Sequence, residues 1–373
     1  MVDLVGQYER IKSSIDRSLQ EVLSSGDFIQ GTPVKAFETA LSAFMQGANV
    51  VSCGNGTDAL QIAMMTLQFK PGDEIILPVH TYVATAEVIA LLGLKPVFVD
   101  VDEDLFTINV DHVAQALSSR TVAVVPVHLY GQCADMESLF RVVKNRGIAI
   151  IEDAAQALGA NYHFGDGRLV SAGTIGKIGT TSFFPTKNLG AYGDGGAMFT
   201  RDPELAERLK MVANHGQRVK YQHDVVGVNS RLDTLQAAIL LVKLKSLRDF
   251  EERRRTVAEF YDEHLKEIAG VKIPVRAPYS SHVFHQYTIK VAIDHRDKLI
   301  AYLSARGIPT MIYYPIPLHT QPAYRLPEHG PGAFPVAEKL SRSVISLPIH
   351  TEMDEDQLSY ICKVIHEYFS KTG

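Results

Sequence analysis

Seven short runs between residues 49 and 200 consist almost wholly of apolar and β-branched residues: NVVSC, EIILP, PVFVDV, VAVVPVH, IAIIED, TTSFF and GAMFT. Several lack polar alternation, as strands buried on both faces of a parallel sheet do. Between them, over 57–69 and 135–146, Leu, Ile, Met and Phe recur at spacings of three and four, the period of a helix with one buried face, and Gly147 closes the second pattern. Strand and helix in alternation predict a mostly parallel sheet covered on both sides, with ligands gathered beyond the carboxyl ends of its strands. After residue 200 the texture changes to long helical patterns over 202–214, 231–250 and 251–265. A proline-rich stretch at 273–278 then opens a unit with the run FHQYTIKVAI and helices ending near Phe369. The expected organisation is a large α/β domain over 1–250, including the N-terminal segment, and a smaller α+β domain over 251–373.

Composition narrows this little. A chain of 373 residues, 46% hydrophobic and 21% charged, is an ordinary globular protein too long for one small core. The net charge of -5 offers no footprint for nucleic acid, and the one basic cluster, Arg253 to Arg255, follows Glu251 and Glu252 and reads as a solvated helix face. Cys53, Cys133 and Cys362 are odd in number and widely spaced, so neither a disulfide framework nor a metal site is expected. The N-terminus lacks a signal-peptide pattern, and no apolar stretch approaches the ~18 residues of a membrane span. These features predict a cytoplasmic protein without membrane contact.

The chemistry sits at the strand ends. SFFPTKNLG places Lys187 between an aromatic pair with a proline and a glycine turn. A lysine ordinarily lays its stem on apolar surface and keeps its ammonium in water. SCGNGTDAL, however, leaves a strand, passes Gly54 and Gly56 and starts a helix at Thr57 and Asp58, presenting backbone N–H groups and a helix dipole to an anion such as phosphate. A plain turn capped by Thr57 or Asp58 reads equally from these letters. IIEDAAQALGA ends an apolar strand with Glu152 and Asp153. Asp153 suits either a helix N-cap or the counter-ion of a protonated heterocyclic nitrogen, with Gln156 one helical turn on. Tyr82, in PVHTYVATAEV, is core filling or a ring stacked on a planar ligand, and His80 beside it reads as structural. SAGTIGKIGTT is no phosphate loop, because Ile178 follows Lys177 where Ser or Thr is required, and no G-x-G-x-x-G follows a strand. A phosphate-ready helix start, a carboxylate, a stacking ring and one lysine together match the needs of pyridoxal 5'-phosphate, with Lys187 forming the Schiff base.

The same motifs resemble the sugar aminotransferases of the DegT/DnrJ/StrS family over nearly the whole chain. They run from GDFIQGTPV near residue 26 through GTDAL, EDAAQALGA, SFFPTKNLGAYGDGGA, NHGQ and GVNSRLDTLQAAIL to YYPIPLHTQPA near residue 313. The resemblance implies the PLP-dependent transferase fold type I, that of aspartate aminotransferase. It implies Lys187 as the Schiff-base lysine, Asp153 and Gln156 at the pyridinium nitrogen and the 3'-oxygen side, Gly56, Thr57 and Ser182 at the phosphate, and Tyr82 over the ring face. Asn229 is implied to reach the phosphate of the neighbouring subunit's cofactor, hence a homodimer with shared active sites. Lysine at 187, where the family's dehydrases carry histidine, implies transamination from L-glutamate to a nucleotide-linked keto-hexose. The UDP-linked 3-keto sugar UDP-2-acetamido-2-deoxy-3-oxo-glucuronate and the dTDP-3-keto-6-deoxyhexoses are the implied substrates, with 4-keto sugars as a further alternative. Candidates for the sugar-nucleotide pocket are Phe28, Tyr313 and Tyr314, which read equally as core, and Arg231, which could bind phosphates or a carboxylate or pair with Asp233. A non-catalytic PLP-binding regulator is the competing class, and a PLP-dependent dehydrase acting on the same sugars is the third reading.

Overall fold

All seven apolar runs form strands of one sheet in a computed structural model, which describes residues 1–372. They are β1 (Asn49–Cys53), β2 (Glu74–Pro78), β3 (Lys95–Val99), β4 (Thr121–Val124), β5 (Ala149–Asp153), β6 (Ile178–Ser182) and β7 (Gly196–Thr200). Their order in space is β1-β7-β6-β5-β4-β2-β3. Only β7 runs against the rest. Continuous apolarity follows from cover on both faces: in β2, Ile75 and Leu77 enter one core while Ile76 enters another. A third core, built on Phe37, Phe183 and Leu240, packs the helix Thr32–Phe44 against the helix Thr234–Leu244.

Local expectations shift in three places. The helix Gly56–Thr66 is capped by Asn55, whose Oδ1 accepts the Asp58 N–H at 2.8 Å, and not by Thr57 or Asp58. No helix follows β5: residues 155–159 form a turn, so Asp153 caps nothing and Gln156 is carried by that turn. The patterns at 231–250 and 251–265 resolve into helices Thr234–Leu244 and Leu247–Leu265, so residue 250 lies inside a helix. That helix gives Leu247 to the third core and Val257, Tyr261 and Leu265 to the core of the following unit, and both units share it.

The second unit contains an antiparallel sheet of β8 (Val271–Lys272), β9 (Tyr287–Val291) and β10 (Val344–Leu347), backed by helices Ile293–Ser304 and Glu355–Thr372. The basic cluster departs from its expected solvation at its centre. Arg253 and Arg255 pair with Asp249 and Glu252 at the surface, but Arg254 is 3% exposed. Its Nη1 donates to the carbonyls of Phe284, His285 and Ile349 at 3.1, 3.4 and 3.2 Å. A helical turn of 100° per residue sends one of three neighbours inward. The three cysteines are buried and unpaired, and among the described residues no helix is long and apolar enough to cross a membrane.

Candidate active site

The carboxyl ends of β1 and β6 flank the start of β7, where Cys53 and Ser182 both pair with Gly196. Lys187 lies in the connection from β6 to β7. Its N–H donates to the Phe184 carbonyl at 2.8 Å, and Ala191 closes back on Phe183 at 2.7 Å. Gly190 lets this turn form, because a Cβ there would stand 2.2 Å from the Pro185 carbonyl oxygen. The Lys187 ammonium has no hydrogen-bond or ion-pair partner among the described residues. Although the residue keeps partial access to solvent, surrounding protein lowers its pKa to about 8, with the Asp153 carboxylate opposing the shift.

Asp153 ends β5 on the same edge. Its Oδ1 accepts the Ala155 N–H at 3.1 Å and its Oδ2 the Thr85 hydroxyl at 3.3 Å, while its backbone is pinned to Pro126 and His128. Burial pushes its pKa up, against the pull of the Ala155 N–H, Lys187, His128 and Thr85. Two neutral donors leave part of the carboxylate's accepting capacity open. Glu152 has the opposite arrangement. It is fully buried and takes the N–H groups of Gly173, Ile175 and Gly176 at 2.6 to 2.8 Å, with His128 Nε2 at 2.8 Å. Glu152 therefore braces the 173–176 turn, and Asp153 alone is left to meet a ligand.

The start of the helix Gly56–Thr66 abuts the end of β6. A Cβ on Gly56 would lie 2.7 Å from Ser182 Cβ. This close approach brings the first-turn amides of Gly56 and Thr57, which have no acceptor within the helix, next to the Ser182 hydroxyl. Replacing Gly56 by alanine should weaken pyridoxal phosphate binding at least ~10-fold by displacing Ser182, measured by equilibrium titration of the ligand-free protein. Unchanged affinity would show that the phosphate sits elsewhere.

Gln156 Oε1 accepts the Tyr130 N–H at 2.8 Å, and its Nε2 donates to the Tyr314 hydroxyl at 3.0 Å. Tyr314 packs against Tyr82, Tyr313 and His80, and the Tyr82 ring remains exposed. Burial lowers the His80 pKa to about 4, so its imidazole is neutral. Tyr130, which donates its hydroxyl to the Tyr313 carbonyl, and Thr85 were not legible as site residues, because their partners are distant in sequence.

The other three candidates lie on two segments that meet through the Ile29–Asp233 bridge and adjoin the cradle through Ser230, whose hydroxyl accepts the Gly54 N–H at 2.9 Å and donates to Asp58 Oδ2 at 2.6 Å. Among the described residues no hydrogen bond, ion pair or ring contact joins Phe28, Asn229 or Arg231 directly to Lys187, Tyr313 or Tyr314. Phe28 and Asn229 are exposed. Among the described residues Arg231 forms no ion pair, with Asp233 or any other acid, and it lines an open groove between the helices Thr32–Phe44 and Pro203–Ala213.

An unpartnered amine of lowered pKa, an under-satisfied buried carboxylate and an anion cradle fit pyridoxal 5'-phosphate: Lys187 for its aldehyde, Asp153 for its ring nitrogen, and Gly56, Thr57 and Ser182 for its phosphate. The profile of the DegT/DnrJ/EryC1/StrS aminotransferase family matches residues 9–366. The "pleiotropic regulatory protein" of Geobacillus stearothermophilus is 46% identical over 371 residues, 99% of this chain and 98% of that one. The UDP-2-acetamido-2-deoxy-3-oxo-D-glucuronate aminotransferase of Pseudomonas aeruginosa is 44% identical over 364 residues, 98% of each chain. Transaminases named for dTDP-3-amino sugars are 39 and 41% identical. The crystal structure of Streptomyces venezuelae DesV in complex with a ketimine intermediate superposes with a TM-score of 0.94 at 40% identity, covering 99% of this chain and 97% of that one. The fold, the cradle and this near-complete match agree, and the chain belongs to the DegT/DnrJ/EryC1/StrS aminotransferase family.

Proposed function

We propose that this protein uses pyridoxal 5'-phosphate to transfer an amino group from L-glutamate to C3 of a UDP-linked 3-keto sugar such as UDP-2-acetamido-2-deoxy-3-oxo-glucuronate. The observation that carries the reading is the convergence of the unpartnered Lys187 amine and the open Asp153 carboxylate on the edge that holds the Gly56–Ser182 cradle. The bound cofactor supplies an aldehyde carbon that carries the amino group and a ring that withdraws electrons from the carbon losing its proton. Lys187, whose lowered pKa of about 8 makes its neutral amine accessible, moves the proton between donor and acceptor carbons. Asp153, ionised, holds a proton on the ring nitrogen, and a cation against it lowers the pKa that burial has raised. Gly56, Thr57 and Ser182 hold the phosphate, Gln156 borders the 3'-oxygen side, and Tyr82 covers the ring face.

The active enzyme is a homodimer in this reading. Asn229 and Arg231 follow an exposed hairpin over 217–223 whose Val219 and Tyr221, with Val226 just beyond it, stand in solvent, a surface suited to a second copy. Phe28, Asn229 and Arg231 would then complete the partner's site, with Arg231 at the substrate's phosphates or carboxylate. Three reduced cysteines suit the cytoplasm.

The test loads the enzyme with pyridoxal phosphate, converts it with L-glutamate, and follows return of the visible absorbance against a panel of keto sugars. Conversion by glutamate and return with the UDP-linked 3-keto uronate are expected. A spectrum that glutamate leaves unchanged would favour the non-catalytic regulator. Return with a dTDP-3-keto-6-deoxyhexose alone would move the substrate to the second reading, which the dTDP-sugar relatives support.

A further inference from the structure

We infer that Tyr130 is a positioning residue: it locks the 311–320 loop onto the cofactor edge through the Tyr313 carbonyl and through Gln156, and so sets affinity for the keto sugar. This rests on the aminotransferase reading above.

Tyr130 occupies the middle of the turn Leu129–Gly131, beyond β4, with φ 60, in the left-handed region that aromatic residues rarely enter. Such a backbone persists only where several partners hold it. Here its N–H meets Gln156 Oε1 at 2.8 Å, its carbonyl accepts the Gln286 N–H at 3.3 Å, and its ring stands edge-on to Phe106 at 5.1 Å. Two further residues of positive φ converge on the same turn. One is Phe106 itself, at φ 62. The other is Phe284, at φ 46, whose neighbour Val283 donates to the Gly131 carbonyl at 2.9 Å. Lys290 of β9 then ties the Phe106 loop down by donating to the Glu103 carbonyl at 2.8 Å. The turn is thus fixed by segments from both units of the fold.

The arrangement has a directional consequence. A backbone N–H can meet only the oxygen of the Gln156 amide, so the amide's donor side is forced toward Tyr314, whose hydroxyl must accept. The Tyr314 proton is left to point away from Gln156 and serve a ligand. Meanwhile the Tyr130 hydroxyl claims the carbonyl of Tyr313, the residue before Tyr314. One tyrosine therefore fixes both the orientation of Tyr314 and the path of the loop that carries it.

The test is amide hydrogen exchange on the full, ligand-free chain, combined with kinetics on the loaded enzyme. In Tyr130→Phe, which keeps the ring and the N–H, exchange at Met311 and Leu318 should rise about 10-fold while β4 and β5 stay unchanged, the effect of the buried Tyr313 carbonyl losing its tyrosine donor and keeping only the His80 imidazole. The KM for the keto sugar should rise about 10-fold with kcat within about 2-fold, and Tyr130→Phe added to Tyr314→Phe should worsen KM by no more than about 2-fold. Unchanged exchange at 311–320, or a double variant whose KM defect is the product of the single defects, overturns the inference. Gln156→Glu is the second variant. It keeps the acceptor for Tyr130 but loses the donor to Tyr314, and an unchanged KM there also overturns it. The exchange measurement needs no cofactor, so it decides even if the wild-type protein proves not to transaminate.

Discussion

Under the proposed function, replacing Lys187 by alanine should lower turnover with glutamate by at least about 10⁴-fold, because one side chain would both bind the cofactor covalently and move the proton. The variant should still fold, since the ammonium has no hydrogen-bond or ion-pair partner that its loss would strand. A diagnostic pH effect accompanies it. With a pKa of about 8, roughly one Lys187 amine in ten is neutral at pH 7. Only the neutral amine attacks an aldehyde or accepts a proton, so covalent capture of pyridoxal phosphate, trapped by borohydride, should accelerate as pH rises through about 8 and level off above it. The alanine variant should show neither capture nor this pH step. A variant that retained wild-type turnover would remove Lys187 from the mechanism, and a capture rate flat between pH 6 and 9 would contradict the lowered pKa.

Asp153→Asn has the second-largest expected effect, a loss of about 10² to 10³-fold in kcat with pyridoxal phosphate still bound. Asparagine keeps the volume and the acceptor for the Ala155 N–H, and the cradle over Gly56, Thr57 and Ser182 is untouched. What disappears is the negative charge proposed to hold a proton on the ring nitrogen. Stability should move the other way. The carboxylate's pKa is raised by burial, so the folded ligand-free chain binds a proton there more tightly than the unfolded chain. Its contribution to stability therefore falls as pH rises above the ordinary aspartate range, and at pH 7 the neutral asparagine should match or raise the melting temperature. Lost turnover with undiminished stability is the mark of a residue kept for function. Undiminished kcat, or melting lowered by several degrees, would instead make Asp153 structural.

The strands were legible because burial on both faces writes an unbroken apolar run, and all seven runs became strands of one sheet. Their direction was not. A run apolar on both sides reads the same in either sense, and β7 proved antiparallel. The roles of Glu152 and Asp153 could not be separated by residue type. Alternation of strand faces separates them, but which face meets the ligand depends on the 173–176 turn. Asn55 was missed as a cap because Asn, Thr and Asp within four positions all suit that place.

The order of motifs along the chain was enough to determine the family and its cofactor chemistry and to propose Lys187 as the residue that carries it, since each motif combines a local strand end with the residue type its chemistry needs. Tertiary structure alone decided which groups share an edge. Tyr130 meets partners 26 and 183 residues away, and Arg254 ties its helix to a carbonyl 95 residues on. Such contacts leave no local period, because they are selected by the packing of whole segments rather than by the conformational preference of any one of them.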